Sequence, residues 1–134
     1  MQSEKKEIEN AEDVRLLLDS FYAKVKEDPL LAPVFQRRIP TEADWPEHMD
    51  ILYQFWESVL FGVSAFRGNP FPKHIGLGIN ATHFDRWIQL FHSTIDELFV
   101  GKIATEAKDK SVKMRMLFEF KLKSIDESGN KPLV

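Results

Sequence analysis

Four side chains capable of chemistry stand where a folded chain rarely leaves such groups idle. His74 lies in Phe71-Pro72-Lys73-His74-Ile75-Gly76-Leu77-Gly78, and with Pro70 before it the prolines and glycines there oppose a long helix. An imidazole on so short and stiff a segment, between two long apolar patterns, is placed to point at something held between them. Tyr22, His48 and Trp87 each fall on the inward stripe of a different helical pattern, and each carries a group that needs a hydrogen-bond partner once buried. Singly, each is also what an ordinary core contains. Together with His74 they describe one polar-lined cavity.

A metal ion held by several imidazoles fits the spacing poorly. His48, His74, His83 and His92 lack the i, i+3 or i, i+4 pairing that presents two imidazoles on one helix face. They fit better a site where the protein supplies a single ligand. Haem is such a case, since the porphyrin provides four nitrogens and the protein one axial imidazole. The 11 Phe and 3 Trp of this chain suit a flat apolar slot, and equally a core.

The elements that must position these groups are helices, with no convincing strand. Val14, Leu17, Leu18, Phe21, Tyr22 and Val25 recur at helical spacing over roughly residues 11–27, after a charged N-terminal tail. Pro29 and Pro33 then break the chain, and Leu30, Leu31, Val34 and Phe35 form a short apolar turn or single-turn helix. Asp44 with Glu47 matches a capping box, Pro46 falls in the first turn, and His48, Ile51, Leu52, Phe55, Trp56, Val59 and Leu60 make a stripe that Gly62 ends. A third stripe, Phe84, Trp87, Ile88, Phe91, Ile95, Leu98 and Phe99, is capped by Asn80 or Thr82 and ended by Gly101. The last helix, roughly 103–124, uses Ile103, Ala107, Met114, Leu117 and Phe118, with Lys110 interrupting, and Ser128-Gly129-Asn130-Lys131-Pro132 reads as a frayed tail.

Composition bounds the function classes. At 134 residues the chain fits one domain, read as residues 1–134 with its core at about 11–124. With 43% apolar and 29% charged residues and a net charge of -3, it reads as a soluble globular protein. Lys108, Lys110, Lys113, Arg115, Lys121 and Lys123 are interleaved with acids, so no basic stripe points to nucleic acid. Apolar runs are too short for membrane insertion, and the start of the chain lacks the apolar segment of a secretory signal. Cysteine is absent, which excludes disulfides and thiolate chemistry and agrees with a cytoplasmic protein.

Several segments together resemble the group III truncated haemoglobins. They are Phe21-Tyr22, Pro33-Val34-Phe35, Trp45-Pro46-Glu47-His48, Phe55-Trp56-Glu57-Ser58-Val59-Leu60, Gly68-Asn69-Pro70-Phe71-Pro72-Lys73-His74 and His83-Phe84-Asp85-Arg86-Trp87. They stand in the family's order and spacing across roughly residues 11–122. The resemblance implies an all-α truncated globin, a two-over-two helical sandwich enclosing haem b, with His74 as the proximal iron ligand. It implies Tyr22, His48 and Trp87 as the distal residues, Phe35 packed on the porphyrin, Leu52, Phe55 and Trp56 as further walls, and Lys73 as a candidate for a haem propionate. The chain departs from the family pattern after His74: many relatives carry prolines there, whereas this sequence reads Ile75-Gly76-Leu77-Gly78, which loosens the link to the next helix.

The expected function is binding of dioxygen or another diatomic ligand such as nitric oxide. A hydrogen-bond donor beside a partly negative bound oxygen contributes roughly 1.5–3 kcal/mol, so two or three donors would hold it tightly. Tight holding favours chemistry on the ligand, as in a nitric oxide dioxygenase or a peroxidase, over delivery. Turnover would then need an external reductase. The alternative is a haem-free helical interaction module with Tyr22, His48 and Trp87 as plain core.

Overall fold

The first long helix begins because Asn10 caps it. In the computed structural model, which describes residues 5–63, 74 and 77–127 and side chains as far as Ile125, the Asn10 carboxamide oxygen accepts from the Asp13 N–H at 3.0 Å. Helix α1 then runs Ala11–Glu27 and buries Val14, Leu17, Leu18, Phe21, Tyr22 and Val25, the stripe read from the sequence. It stops at Asp28, extended and ahead of Pro29, where a helical backbone is disfavoured. The Asp28 carboxylate turns back to accept the N–H groups of Leu30 and Leu31 at 3.1 and 3.0 Å, starting the corner into α2, Ala32–Arg38.

Helix α3, Trp45–Phe61, ends as expected on Gly62, whose φ of 69° is the left-handed conformation that glycine adopts without strain. Its start differs from the expected capping box. A 3-10 turn, Glu42–Asp44, runs directly into the helix, so Asp44 already has helical angles and its carboxylate accepts from the Thr41 hydroxyl at 2.7 Å. A capping residue must be extended for its side chain to reach back to the first-turn N–H groups, and Asp44 is not.

Helix α4, Ala81–Leu98, is capped by Asn80 in a reciprocal box with His83: Asn80 Oδ1 accepts from the Thr82 N–H, and His83 Nδ1 accepts from the Asn80 N–H. It stops three residues short of Gly101 because Phe99 turns extended and forms a single parallel bridge with Lys6, Val100 N–H donating to the Lys6 carbonyl at 3.0 Å. The described part of the stretch read as a charged tail is therefore tied to the fold, with Ile8 buried. Helix α5, Lys102–Glu127, is longer than expected. Its buried positions are Ala104, Ala107 and Ser111, whereas Leu117, expected inside, is 49% exposed. Small residues carry this contact, which an apolar stripe of large residues could not signal.

The helices stack as two layers. Helix α1 packs on both α3 and α4, and α5 packs on both α4 and α3, so the α1/α3 pair lies over the α4/α5 pair. This is the two-over-two sandwich of the truncated globins. Phe21 and Phe91, both fully buried, meet at 5.1 Å between the layers, and Ile95, Leu17 and Leu18 fill the space around them.

Candidate functional site

A cavity of about 780 Å³ opens where α2, α3, α4 and α5 converge. Tyr22, Phe35, His48, Leu52, Phe55, Trp56, His74 and Trp87 all line it. That brings together every site residue read from the sequence except Lys73, which lies outside the described residues.

The polar groups enter from different helices. Tyr22 comes from α1, where its ring is gripped by aromatic neighbours: Phe21 at 4.7 Å, Phe35 at 5.7 Å and Trp45 and His48 each at 6.1 Å. His48 stands in the first turn of α3, edge-on to Trp45 at 5.5 Å. Trp87 comes from α4, stacked on Phe91 at 4.8 Å and edge-on to Phe21 at 5.1 Å, so its indole is aimed by the core. That aim brings the indole beside the Tyr22 phenol. Burial pushes the Tyr22 hydroxyl well above its ordinary pKa, and Trp87 offsets this only in part, so the phenol stays protonated. A protonated phenol has one O–H to give.

His74 stands between α3 and α4, and its imidazole packs on Phe118 of α5 at 4.8 Å. The chain beyond it is held from across the cavity. The Arg37 guanidinium on α2 donates to the Leu77 carbonyl at 2.5 Å, and Gly78 follows with a φ of 71°. This contact restrains the segment that the glycines loosen.

Sequence reasoning missed part of the lining. Met114 and Phe118 on α5 were read only as core, and Arg38 and Arg115 were not read as site residues; all four line the cavity. Arg38 has no ion pair among the described residues, whereas Arg115 is bound to Asp85 and Glu119. The adjacent Arg37-Arg38 pair on a short helix was the available signal. His83 also reaches the lining, but its Nδ1 is committed to capping α4. His92 is bonded to Ser111 at 3.0 Å instead. Among the described residues no cluster of His, Asp and Glu could hold a bare metal ion. None of their helices is long and apolar enough to cross a membrane.

Such a sandwich, closing on one aromatic cavity with a lone imidazole on one segment and polar groups on others, defines a class of small globin. The sequence model of the bacterial-like globin family matches residues 6–121, and the chain belongs to that family. Within it the chain is a group III truncated haemoglobin. It is 32% identical over 92 residues to the group 3 truncated hemoglobin ctb of Campylobacter jejuni, covering 67% of this chain and 72% of that protein. The crystal structure of the group III truncated hemoglobin from Campylobacter jejuni superposes with a TM-score of 0.80 at 26% identity, covering 89% of this chain and 95% of that one. Membership in the family implies haem-based ligand binding.

Proposed function

We propose that the chain, as one globin-like domain over residues 1–134, binds haem b through His74 and holds dioxygen, or another diatomic ligand, beside Tyr22, His48 and Trp87. The observation that carries this reading is the single cavity shared by His74 and the three polar residues. Its residues fit the group: the walls from Phe35, Leu52, Phe55 and Trp56 are apolar and largely aromatic, and His74 brings an imidazole to the same lining. Arg38 on the lining, with Lys73, is suited to the propionates. Haem, when bound, supplies a reducible iron that accepts diatomic ligands.

The chain's residues then determine how such a ligand is held. The Tyr22 O–H donates to a partly negative ligand atom, and the Trp87 indole beside it is placed to donate to the phenol oxygen and so to direct that O–H. Phe35, Leu52 and Phe55 keep bulk water from competing for the donor. His48, at the start of α3 and beside Asp44 and Glu47 on the lining, is placed to control entry and to pass a proton, since imidazoles exchange protons near neutral pH. A ligand-facing O–H donor and a proton carrier also support nitric oxide dioxygenase or peroxidase turnover with an external reductase. Sustained consumption of nitric oxide or peroxide with reductant separates that reading from simple binding.

The purified protein should show a Soret band. His74→Ala should abolish or severely weaken haem retention, while His83→Ala and His92→Ala should retain it. A His74→Ala protein with full haem content and an unchanged spectrum would overturn the assignment. A wild-type protein that folds without taking up added haem would return the chain to the interaction-module reading.

A further inference from the structure

Helix α5 carries apolar residues on two faces, and among the described residues only one face is used. Ala107 and Ser111 are buried, and Ser111, Met114 and Phe118 reach the cavity. At about 100° per residue, Asp109, Val112, Met116, Phe120 and Lys123 lie on the opposite side. There Met116 is 65% exposed and Phe120 70%, with Val112 at 37%. A continuous apolar strip of this kind, ended by charges, is a surface built to be covered.

Its pattern is self-complementary about Met116. Val112 and Phe120 stand four residues to either side of it, and Asp109 and Lys123 stand seven to either side. A second α5 laid antiparallel on the first, with both Met116 side chains at the two-fold axis, sets Val112 against the partner's Phe120. It also sets Asp109 against the partner's Lys123 at both ends. A parallel pair would oppose Asp109 to the partner's Asp109 and Lys123 to the partner's Lys123. Charge therefore selects the antiparallel arrangement. Asp109 and Lys123 are both exposed, and neither forms a salt bridge among the described residues.

We propose that this face of α5 is the isologous interface of a homodimer, whatever the cavity on the other side of the helix holds. The strip spans Asp109 to Lys123, about 21 Å at 1.5 Å per residue, so the contact is a modest one and the dimer exchanges with monomer.

Sedimentation velocity of the full-length protein as purified, over increasing concentration, reads the proposal directly. The weight-average mass should rise from 15.6 kDa toward twice that value. Met116→Glu should hold it at the monomer mass, with the helical circular-dichroism signal unchanged. Asp109→Lys and Lys123→Asp should each raise the dimer dissociation constant by about tenfold, and the double exchange Asp109→Lys/Lys123→Asp should bring it back to within about threefold of wild type. A protein that stays monomeric at every concentration overturns the proposal, as does a dimer that survives Met116→Glu. A double exchange that fails to restore association overturns the antiparallel register.

Discussion

Replacing Tyr22 with Phe tests the ligand side of the cavity at its most connected point. The Trp87 indole has one proton to give, and on the function proposed above it gives it to the phenol oxygen beside it. The phenol proton is thus the one left for a ligand. Removing it takes away a bond to a partly negative atom worth about 1.5–3 kcal/mol. The same change releases the indole N–H, which can return on the order of 1 kcal/mol by turning to the ligand itself. The net loss is about 0.5–2 kcal/mol, or roughly two- to thirty-fold faster oxygen release at 1.4 kcal/mol per tenfold. Bound carbon monoxide carries less negative charge, so its release should hardly change.

Trp87→Phe should have the smaller effect, about two- to tenfold, because the phenol loses its aim and keeps its proton. The double variant should release oxygen faster than Tyr22→Phe alone, since no indole is left to compensate. Stopped-flow displacement of oxygen from the three variants measures all of this. Slower or unchanged release from Tyr22→Phe refutes the reasoning, and shows instead that the indole is the main donor and the phenol its restraint.

Other consequences are equally open to measurement. Because burial raises the Tyr22 pKa, oxygen release from the wild type should show no step near pH 10, where an ordinary tyrosine loses its proton; a step there would mean that the phenol is solvated. His48→Leu should change the ligand association rate in flash photolysis more than it changes haem affinity, and equal association rates would remove His48 as a gate. Burial alone would raise the Asp28 carboxyl, but the Arg86 guanidinium and the Leu31 and Leu30 N–H groups outweigh it and hold the pKa below its ordinary value. A lowered folded value means that this stabilisation is complete above about pH 4 and lost as the pH falls below it. Asp28→Asn should accordingly cost about 1–3 kcal/mol at pH 7 and flatten the acid limb of a urea-midpoint profile, and coincident profiles would dismiss the tie. Gly101→Ala puts a methyl group 2.5 Å from Glu7 Oε1 at a φ of 100°, so it should lose about 1–3 kcal/mol, read as a lower urea midpoint.

Large side chains made most of the fold legible. The α1 and α3 stripes and the stops at Asp28 and Gly62 could be read because Val, Leu, Ile and the aromatics recur at helical spacing, and because Pro29 and Gly62 act locally. Where the contact is made by small or polar residues the pattern is silent. Ala104 and Ser111 hold α5 against its neighbours, and nothing in their spacing outweighs Leu117, which faces solvent. The end of α4 was hidden for another reason: it is set by the bridge from Lys6, more than ninety residues away, and a short-range pattern cannot contain that. In the site, the polar residues stood out as misfits on apolar faces. Arg38, on a short helix that looks like a solvated end, did not.

The site's precision comes from the junction between α1 and α4. Two polar ties cross it. Near the end of α1, the buried Asp28 carboxylate accepts from Arg86 at 2.7 Å, and one residue along α4 the Trp87 indole stands against the Tyr22 phenol. Between them Phe21 packs on both Trp87 and Phe91, so sliding one helix along the other would open the best-packed part of the core. The ionic tie fixes the register, because without Arg86 the buried Asp28 charge would be left to two backbone N–H groups alone. With the register fixed, the neutral tie can serve the cavity: neither Tyr22 nor Trp87 carries a charge that must be matched, and both can respond to a polar ligand without loosening the helices. An Arg86→Leu variant should therefore disturb oxygen release through Tyr22 and Trp87 although Arg86 does not itself line the cavity. Release rates unchanged from wild type in a folded Arg86→Leu protein would show that Phe21 packing alone sets the geometry.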